Sequence, residues 1–365
     1  MPNNQNFKRI KKEIYFSIDR VIKKRQFILG REVERFEKEI ASYIGSKYAI
    51  GVNTGTDALF YSLKSLNIGP GDEVITSPFS FSSSADAIVM VGAKPIFVDI
   101  EPRTFNIDPF KIEQAINKRT KAIILVHLYG QSVNFNPILK IIRKYRLRII
   151  EDVAQSLGSR YKNRFLGTFG DLGCLSFYPT KNLAAFGDGG AILTNSPKID
   201  KYLRLMRIHG AQKIYYNYPL IGGSSRLHVL QAAILRVKLK YLDWFIGQRR
   251  KIADIYYKYL QGISLIKLPY QDPVSFHSFN HFTIRIKRKR NELYKFLERN
   301  NIPVAIIYPK PIHFFKSYNF LGYHRGDFPE AEKAAKEVLS LPTDPKITEK
   351  EGKKIAILIK TFLKE

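Results

Sequence analysis

Two runs decide the fold: Ala122-Ile-Ile-Leu-Val126 and Arg148-Ile-Ile-Glu151. Both are short, rich in β-branched residues and nearly free of polar alternation, which is the pattern of strands buried on both faces. Between them, residues 137–145 carry a helical pattern. Working outward, candidate strands recur at 48–52, 73–76 and 95–98, with helix-like stretches at 57–66, 83–91 and 109–116. Strand and helix alternating in this way predict an α/β layer, a mainly parallel sheet with helices on both faces. Such a sheet places its ligand at the carboxyl ends of its strands.

After about residue 225 the texture changes. Helical patterns at 227–241 and 249–260 precede a strand pattern at 280–287, a helix at 292–300 and a Pro-rich link at 307–313. Closing helices are expected at 330–339 and 348–362. The predicted organisation is an N-terminal arm over 1–30, a large α/β domain over 31–245 and a smaller C-terminal α+β domain over 246–365.

The 365 residues are 45% hydrophobic and 25% charged, ordinary usage for a packed chain and unlike a disordered or collagenous one. The single cysteine, Cys174, cannot form an internal disulfide, and a cytoplasmic location is expected. No apolar run approaches the roughly 18 residues of a membrane span, and the first residues lack the apolar core of a signal peptide. The 60 Lys and Arg against 32 Asp and Glu give a net charge of +28. That excess would suit a polyanion. It is spread from residue 8 to residue 364 with no recognition module beside it, so it reads mostly as solvated surface, with no nucleic-acid or membrane partner expected.

Three segments carry chemistry. In Gly51-Val-Asn-Thr-Gly-Thr-Asp-Ala-Leu59 a strand gives way to a helix at about Thr56. The free N–H groups there would hold a phosphate or simply be capped by Thr54, Thr56 or Asp57. In Ile149-Ile-Glu-Asp-Val-Ala-Gln155, Asp152 falls where a buried strand ends. There it must be paired or hydrogen-bonded, either with a protonated heterocycle nitrogen or in a structural ion pair. In Gly173-Cys-Leu-Ser-Phe-Tyr-Pro-Thr-Lys-Asn182, Lys181 follows an apolar run and precedes the glycine-rich Gly187-Asp-Gly-Gly190. A lysine desolvated there becomes a nucleophile toward carbonyls; a lysine on the surface does not. Phosphate site, strand-end carboxylate and lysine together match the three anchors that pyridoxal phosphate needs.

GTDAL at 55–59, EDVAQ at 151–155, SFYPTKNL at 176–183, GDGGAI at 187–192 and SRLHVLQAAIL at 225–235 occur in order at fitting intervals. With them the chain resembles the DegT/StrS-type (DegT/DnrJ/EryC/StrS) sugar aminotransferases, from Phe27-Ile-Leu-Gly30 to the segment at 339–345. The resemblance implies a fold type I pyridoxal phosphate enzyme with no metal. Lys181 would be the family's Schiff-base lysine and proton shuttle. Asp152 would face the ring nitrogen, Gln155 the ring or its hydroxyl, and Phe81 would stack on the ring. Gly55, Thr56 and Asp57, with the Ser176 hydroxyl, would hold the phosphate.

The resemblance further implies a homodimer with shared active sites. L-glutamate would be the donor and a nucleotide-diphosphate keto-deoxysugar the acceptor, best a dTDP-linked 3-keto-6-deoxyhexose. A 4-keto acceptor is the alternative, and a regulatory or DNA-binding protein a more distant one. The chain departs from the family in three places. Ser224 stands where an Asn usually reaches the neighbouring subunit's phosphate, the usual HYP reads Ile307-Tyr-Pro309, and Ile208 replaces an Asn before His209. Tyr308 and His313 are implied substrate-side residues.

Overall fold

A computed structural model of the chain describes residues 2–212 and 216–364. Seven strands form the main sheet: β1 (Tyr48–Val52), β2 (Glu73–Thr76), β3 (Lys94–Phe97), β4 (Thr120–Val126), β5 (Arg148–Asp152), β6 (Leu172–Ser176) and β7 (Gly190–Thr194). Their spatial order is β1-β7-β6-β5-β4-β2-β3. Every neighbouring pair is parallel except the two made by β7. The expected mainly parallel sheet is present, and β7 is the one reversed strand.

The runs at 122–126 and 148–151 explain why the layer needs helices on both sides. Ala122, Ile124 and Val126 enter one core with Ile150, while Ile123 and Leu125 enter the opposite core with Ile149. This is the period of two of a strand whose two faces are both dry. Helices α3 (Gly55–Ser65), α4 (Ser83–Met90) and, further along, α6 (Pro197–Met206) cover the first face. The second face is covered by α2 (Arg31–Ile44), α5 (Phe135–Tyr145) and α7 (Val229–Leu239).

The stretch at 109–116 does not form the expected helix. One 3-10 turn at Glu113–Ala115 is all that appears there. Within the stretch Ile112, Ala115 and Ile116 pack against the second-face core from this one turn while Phe110 is 77% exposed, and a single turn of apolar contact is too short to sustain a helix.

The expected N-terminal arm over 1–30 holds a regular helix, α1 (Pro2–Lys24). Ile10, Ile14, Ser17 and Val21 are buried along it. Ile10 and Ile14 pack with Ile234 and Val237 of α7 and with Phe245. Residues Met1 and Glu365, the ends of the expected spans, lie outside the described residues.

Helix α8 (Leu242–Leu260) runs through the expected junction at 245/246. Its first turns, at Leu242 and Ile246, pack in the main layer, and its later turns, at Ile252, Ala253, Tyr256 and Leu260, pack in a second core. That core belongs to an antiparallel sheet of β8 (Ile266–Lys267), β9 (Phe282–Ile286) and β10 (Val338–Leu341), ordered β8-β9-β10. Helices α9 (Arg290–Arg299) and α11 (Glu349–Lys364) close it. The expected helix at 330–339 ends early: α10 (Pro329–Glu337) stops where residues 338–341 pair with β9 as β10.

One buried carboxylate ties α2 to the sheet edge and α6. Glu37 Oε1 accepts the Gly51 N–H at 2.8 Å and a bond from Arg207 Nη1, its Oε2 accepts from Arg204 at 2.8 Å, and Arg207 Nη1 also donates to the Gly51 carbonyl. Breaking such a buried pair strands the remaining charge. Glu37→Ala is expected to cost about 3–5 kcal/mol, read by chemical denaturation. Glu113→Ala, at an exposed pair with Lys144, should leave the midpoint unchanged.

Candidate active site

A cavity of about 540 Å³ opens where the carboxyl ends of β4, β5 and β6 meet the start of α3 and residues 306–308. The parallel sheet delivers Val126, Asp152 and Ser176 to its floor, the position expected of a ligand site in this architecture. Thr54, Gly55 and Thr56 line one end, Phe81 and Tyr308 another, and Lys181 the rim beyond β6.

Strand β5 ends in two adjacent carboxylates that point to opposite faces. Glu151 is fully buried and saturated. It accepts the N–H groups of Gly167, Phe169 and Gly170 at 2.8, 2.6 and 2.8 Å, and His127 Nε2 lies 3.1 Å away. His127 Nδ1 accepts from the Val133 N–H, so the ring's Nε2 carries the proton donated to Glu151.

Asp152, 5% exposed, accepts only the Ala154 N–H at 3.0 Å and the Ser84 hydroxyl at 3.1 Å. Burial pushes its pKa above the ordinary carboxylate value. The Ala154 N–H, the Lys181 charge and the Ser84 hydroxyl pull the other way, and burial prevails. A carboxylate in that balance is short of one cationic hydrogen-bond donor.

Lys181 is half-buried as a residue, because it borders an open cavity, yet protein surrounds its ammonium closely. Desolvation lowers its pKa below the ordinary 10.5, and Asp152 partly offsets the fall. His281, also in the wall, is held down to about 3 by burial and by the nearby Lys181 and Arg249 charges, so its ring is neutral.

At the start of α3, Thr54 caps the helix by accepting the Asp57 N–H at 2.9 Å. The expected role of that N–H toward a phosphate is therefore corrected: the cap occupies it, and the Asp57 carboxylate is held by the Ser225 hydroxyl at 2.6 Å. Gly55 and Thr56 keep first-turn N–H groups that no helical carbonyl can reach. The backbone there is very close-packed. A Cβ on Gly55 would sit 2.8 Å from Ser176 Cβ, and one on Gly190 2.2 Å from the Thr54 oxygen. This leaves an anion cradle of main-chain donors beside the Ser176 hydroxyl.

Residues 8–360 match the model of the DegT/DnrJ/EryC1/StrS aminotransferase family. The chain belongs to that family. Its relatives include a pleiotropic regulatory protein of Geobacillus stearothermophilus, 43% identical over 98% of this chain and 96% of that one. A dTDP-3-amino-3,6-dideoxy-alpha-D-galactopyranose transaminase of Aneurinibacillus thermoaerophilus is 41% identical over 97% and 96%. A UDP-N-acetyl-3-dehydro-alpha-D-glucosamine 3-aminotransferase of Acidithiobacillus ferrooxidans is 39% identical over 98% and 96%. Among solved structures, S. venezuelae DesV in complex with a ketimine intermediate superposes with a TM-score of 0.96 at 35% identity, covering 100% of this chain and 97% of that one.

As a DegT/DnrJ/EryC1/StrS aminotransferase, the chain is a fold type I, pyridoxal phosphate-dependent enzyme. The residues present fit that cofactor: an anion cradle at Gly55, Thr56 and Ser176, an under-satisfied buried carboxylate at Asp152, and a desolvated amine at Lys181. Among the described residues no cluster of His, Cys, Asp or Glu could hold a metal ion, and no helix is long and apolar enough to cross a membrane.

Phe81, 59% exposed, lines the cavity with its ring 6.5 Å from that of Tyr308. Gln155 is engaged at both ends of its amide: Oε1 accepts the Tyr129 N–H at 2.9 Å and Nε2 donates to the Tyr308 hydroxyl at 2.7 Å. Two implied residues are not brought to this wall. Ser224 sits on an exposed loop and accepts from Arg226 at 2.7 Å. His313 is corrected from substrate side to interior: it is buried against Phe314 and Phe328, with Glu332 3.3 Å from Nε2. Sequence reasoning missed Ser84, His281 and the Glu151 network. The Ser-rich run at 80–84 was the available signal for the first; the others depend on contacts distant in the chain.

The lysine gives a direct check without cofactor. Amine labelling of the apo protein followed by mass spectrometry should show Lys181 reacting with a pH midpoint below that of exposed lysines. In Asp152→Asn the offsetting charge is gone, so the midpoint should fall further. A rise would contradict the geometry.

Proposed function

We propose that the chain carries the amino group of L-glutamate to carbon 3 of a dTDP-linked 3-keto-6-deoxyhexose, working as a homodimer with shared active sites. The observation that carries the reaction type is the convergence of Lys181, Asp152 and the α3 cradle on one cavity. The acceptor class is supported by the sugar-nucleotide names of the relatives, two of which specify position 3. The UDP-linked amino sugar named for the Acidithiobacillus relative favours a second reading, a UDP-linked 3-keto acceptor.

Bound at this site, pyridoxal phosphate would supply an aldehyde that takes up amines and a protonated ring that absorbs electrons when a carbon loses its proton. Gly55, Thr56 and Ser176 would hold its phosphate. Asp152 would hold a proton on the ring nitrogen, and gaining that cation would relieve the cost of its burial. Phe81 would cover the ring. Lys181, whose pKa desolvation lowers, would serve as the base that takes the proton from the donor's Cα and as the acid that gives it back. The same groups act in the reverse order on the keto-sugar, so donor and acceptor share one site in ping-pong fashion.

Charge supports the reading of a shared site. The cavity wall carries Lys181 against Asp152 and Asp188, with no arginine among its described residues. The anionic ends of the donor and of the nucleotide therefore draw their counter-charges from beyond this wall, which supports completion by a second copy. Ser224, on its exposed loop, is the proposed contact to the neighbouring cofactor phosphate.

Incubation with glutamate and a panel of dTDP- and UDP-linked 3-keto and 4-keto sugars tests the reading. The expected product is the dTDP-linked 3-amino-6-deoxyhexose with 2-oxoglutarate. Lys181→Ala, folded by circular dichroism, should lower turnover by more than about 10³-fold. Turnover of a 4-keto sugar in preference to any 3-keto sugar would overturn the positional assignment.

A further inference from the structure

The motif at 225–235 contains Gln231, a residue for which the chemistry above has no use. Its surroundings give it one. Lys181 stands on a stretch without regular structure, between the end of β6 and the start of β7. Irregular backbone carries many conformations, so a side chain on it is placed only as well as the backbone is anchored.

Main-chain bonds close the stretch at its base. The Phe177 N–H donates to the Gly189 carbonyl at 2.8 Å and the Ala185 N–H to the Phe177 carbonyl at 2.7 Å. On the inner side, buried Asn182 donates to the Leu157 carbonyl and the Ser278 hydroxyl, each at 3.0 Å. The outer side is more open: Tyr178 is 52% and Phe186 60% exposed.

Helix α7 anchors that outer side. Gln231 Oε1 accepts the Phe186 N–H at 2.7 Å, and Gln231 Nε2 donates to the Phe186 carbonyl at 2.9 Å. One amide thus grips both polar groups of a single residue's main chain. Two turns along the same helix face, Lys238 donates to the Ala184 carbonyl, and its ammonium lies 5.5 Å from the centre of the Phe186 ring. The gripped stretch leads directly to Asp188 and Gly189 in the cavity wall.

We propose that Gln231 is a positioning residue for Lys181: by clamping the Phe186 main chain from α7, with Lys238 beside it, it holds the lysine-bearing stretch at the cavity rim. It touches neither substrate nor cofactor and acts through the backbone. Misplacing a reacting group by about 1 Å is sufficient to lower a rate severely.

Gln231→Met keeps the length and removes both bonds. In the cofactor-loaded enzyme it should slow the glutamate half-reaction about tenfold, with the glutamate KM unchanged. In the cofactor-free protein, loosening the stretch admits water to the Lys181 ammonium. The pH midpoint for amine labelling of Lys181 should therefore rise toward that of an exposed lysine, while labelling of other lysines stays put. Lys238→Met, which frees only Ala184, should shift both readouts the same way by less; it also serves if Gln231→Met does not fold. A lower melting temperature with an unmoved Lys181 midpoint and an unchanged half-reaction would overturn the proposal and leave Gln231 a structural residue. The glutamate half-reaction and the labelling are independent of which sugar is the acceptor, so the sugar assignment can fail without affecting this result.

Discussion

The site depends on how a buried sheet disposes of two adjacent negative charges at the end of its central strand. Alternation along β5 sends Glu151 and Asp152 to opposite faces, and the two are treated differently. Four polar groups surround Glu151, three of them main-chain N–H groups of the turn at 167–170, so it serves as a rivet between β5 and the chain that enters β6. Asp152 receives two donors, and burial still raises its pKa. A carboxylate satisfied like Glu151 would have nothing to offer a ligand. The deficit at Asp152 suits the cavity to a protonated ring, and the Asp152 charge partly offsets the desolvation that lowers the Lys181 pKa.

Much of this architecture is legible in the chain. The strands at 122–126 and 148–151 are readable because dry faces on both sides leave no room for polar residues. Asp152, Lys181 and Gly55 are readable because each sits at a fixed offset from such a strand. What could not be read depended on partners far away in sequence. Residues 338–341 form a strand because β9 is there to receive them, and residues 109–116 offer a single turn of apolar contact, too short to hold a helix. The Asp57 N–H was expected to face a ligand, but Thr54 takes it first. The family resemblance implies a substrate-side His313, and only three-dimensional packing reveals its interior place.

The net charge of +28 has no counterpart inside the site. The cavity wall holds two carboxylates and one lysine, and many of the cations elsewhere are engaged with acids across helices, as Arg236 is with Glu32 and Glu39. The local field at the reacting centre is therefore set by a few groups at short range, while the global excess is screened by salt over distances of about 8 Å. Helix α7 joins these levels: it packs on the main sheet, receives α1 on its outer side and reaches the lysine-bearing stretch through Gln231 and Lys238.

The central claim is that one lysine, placed by this geometry among the 60 lysine and arginine residues of the chain, carries the cofactor. Borohydride reduction of the pyridoxal phosphate-loaded enzyme, followed by peptide mapping, tests it most directly. The account predicts the added cofactor mass on the peptide containing Lys181 and on no other. Recovery of that mass at a different lysine, with Lys181 unmodified, would contradict it.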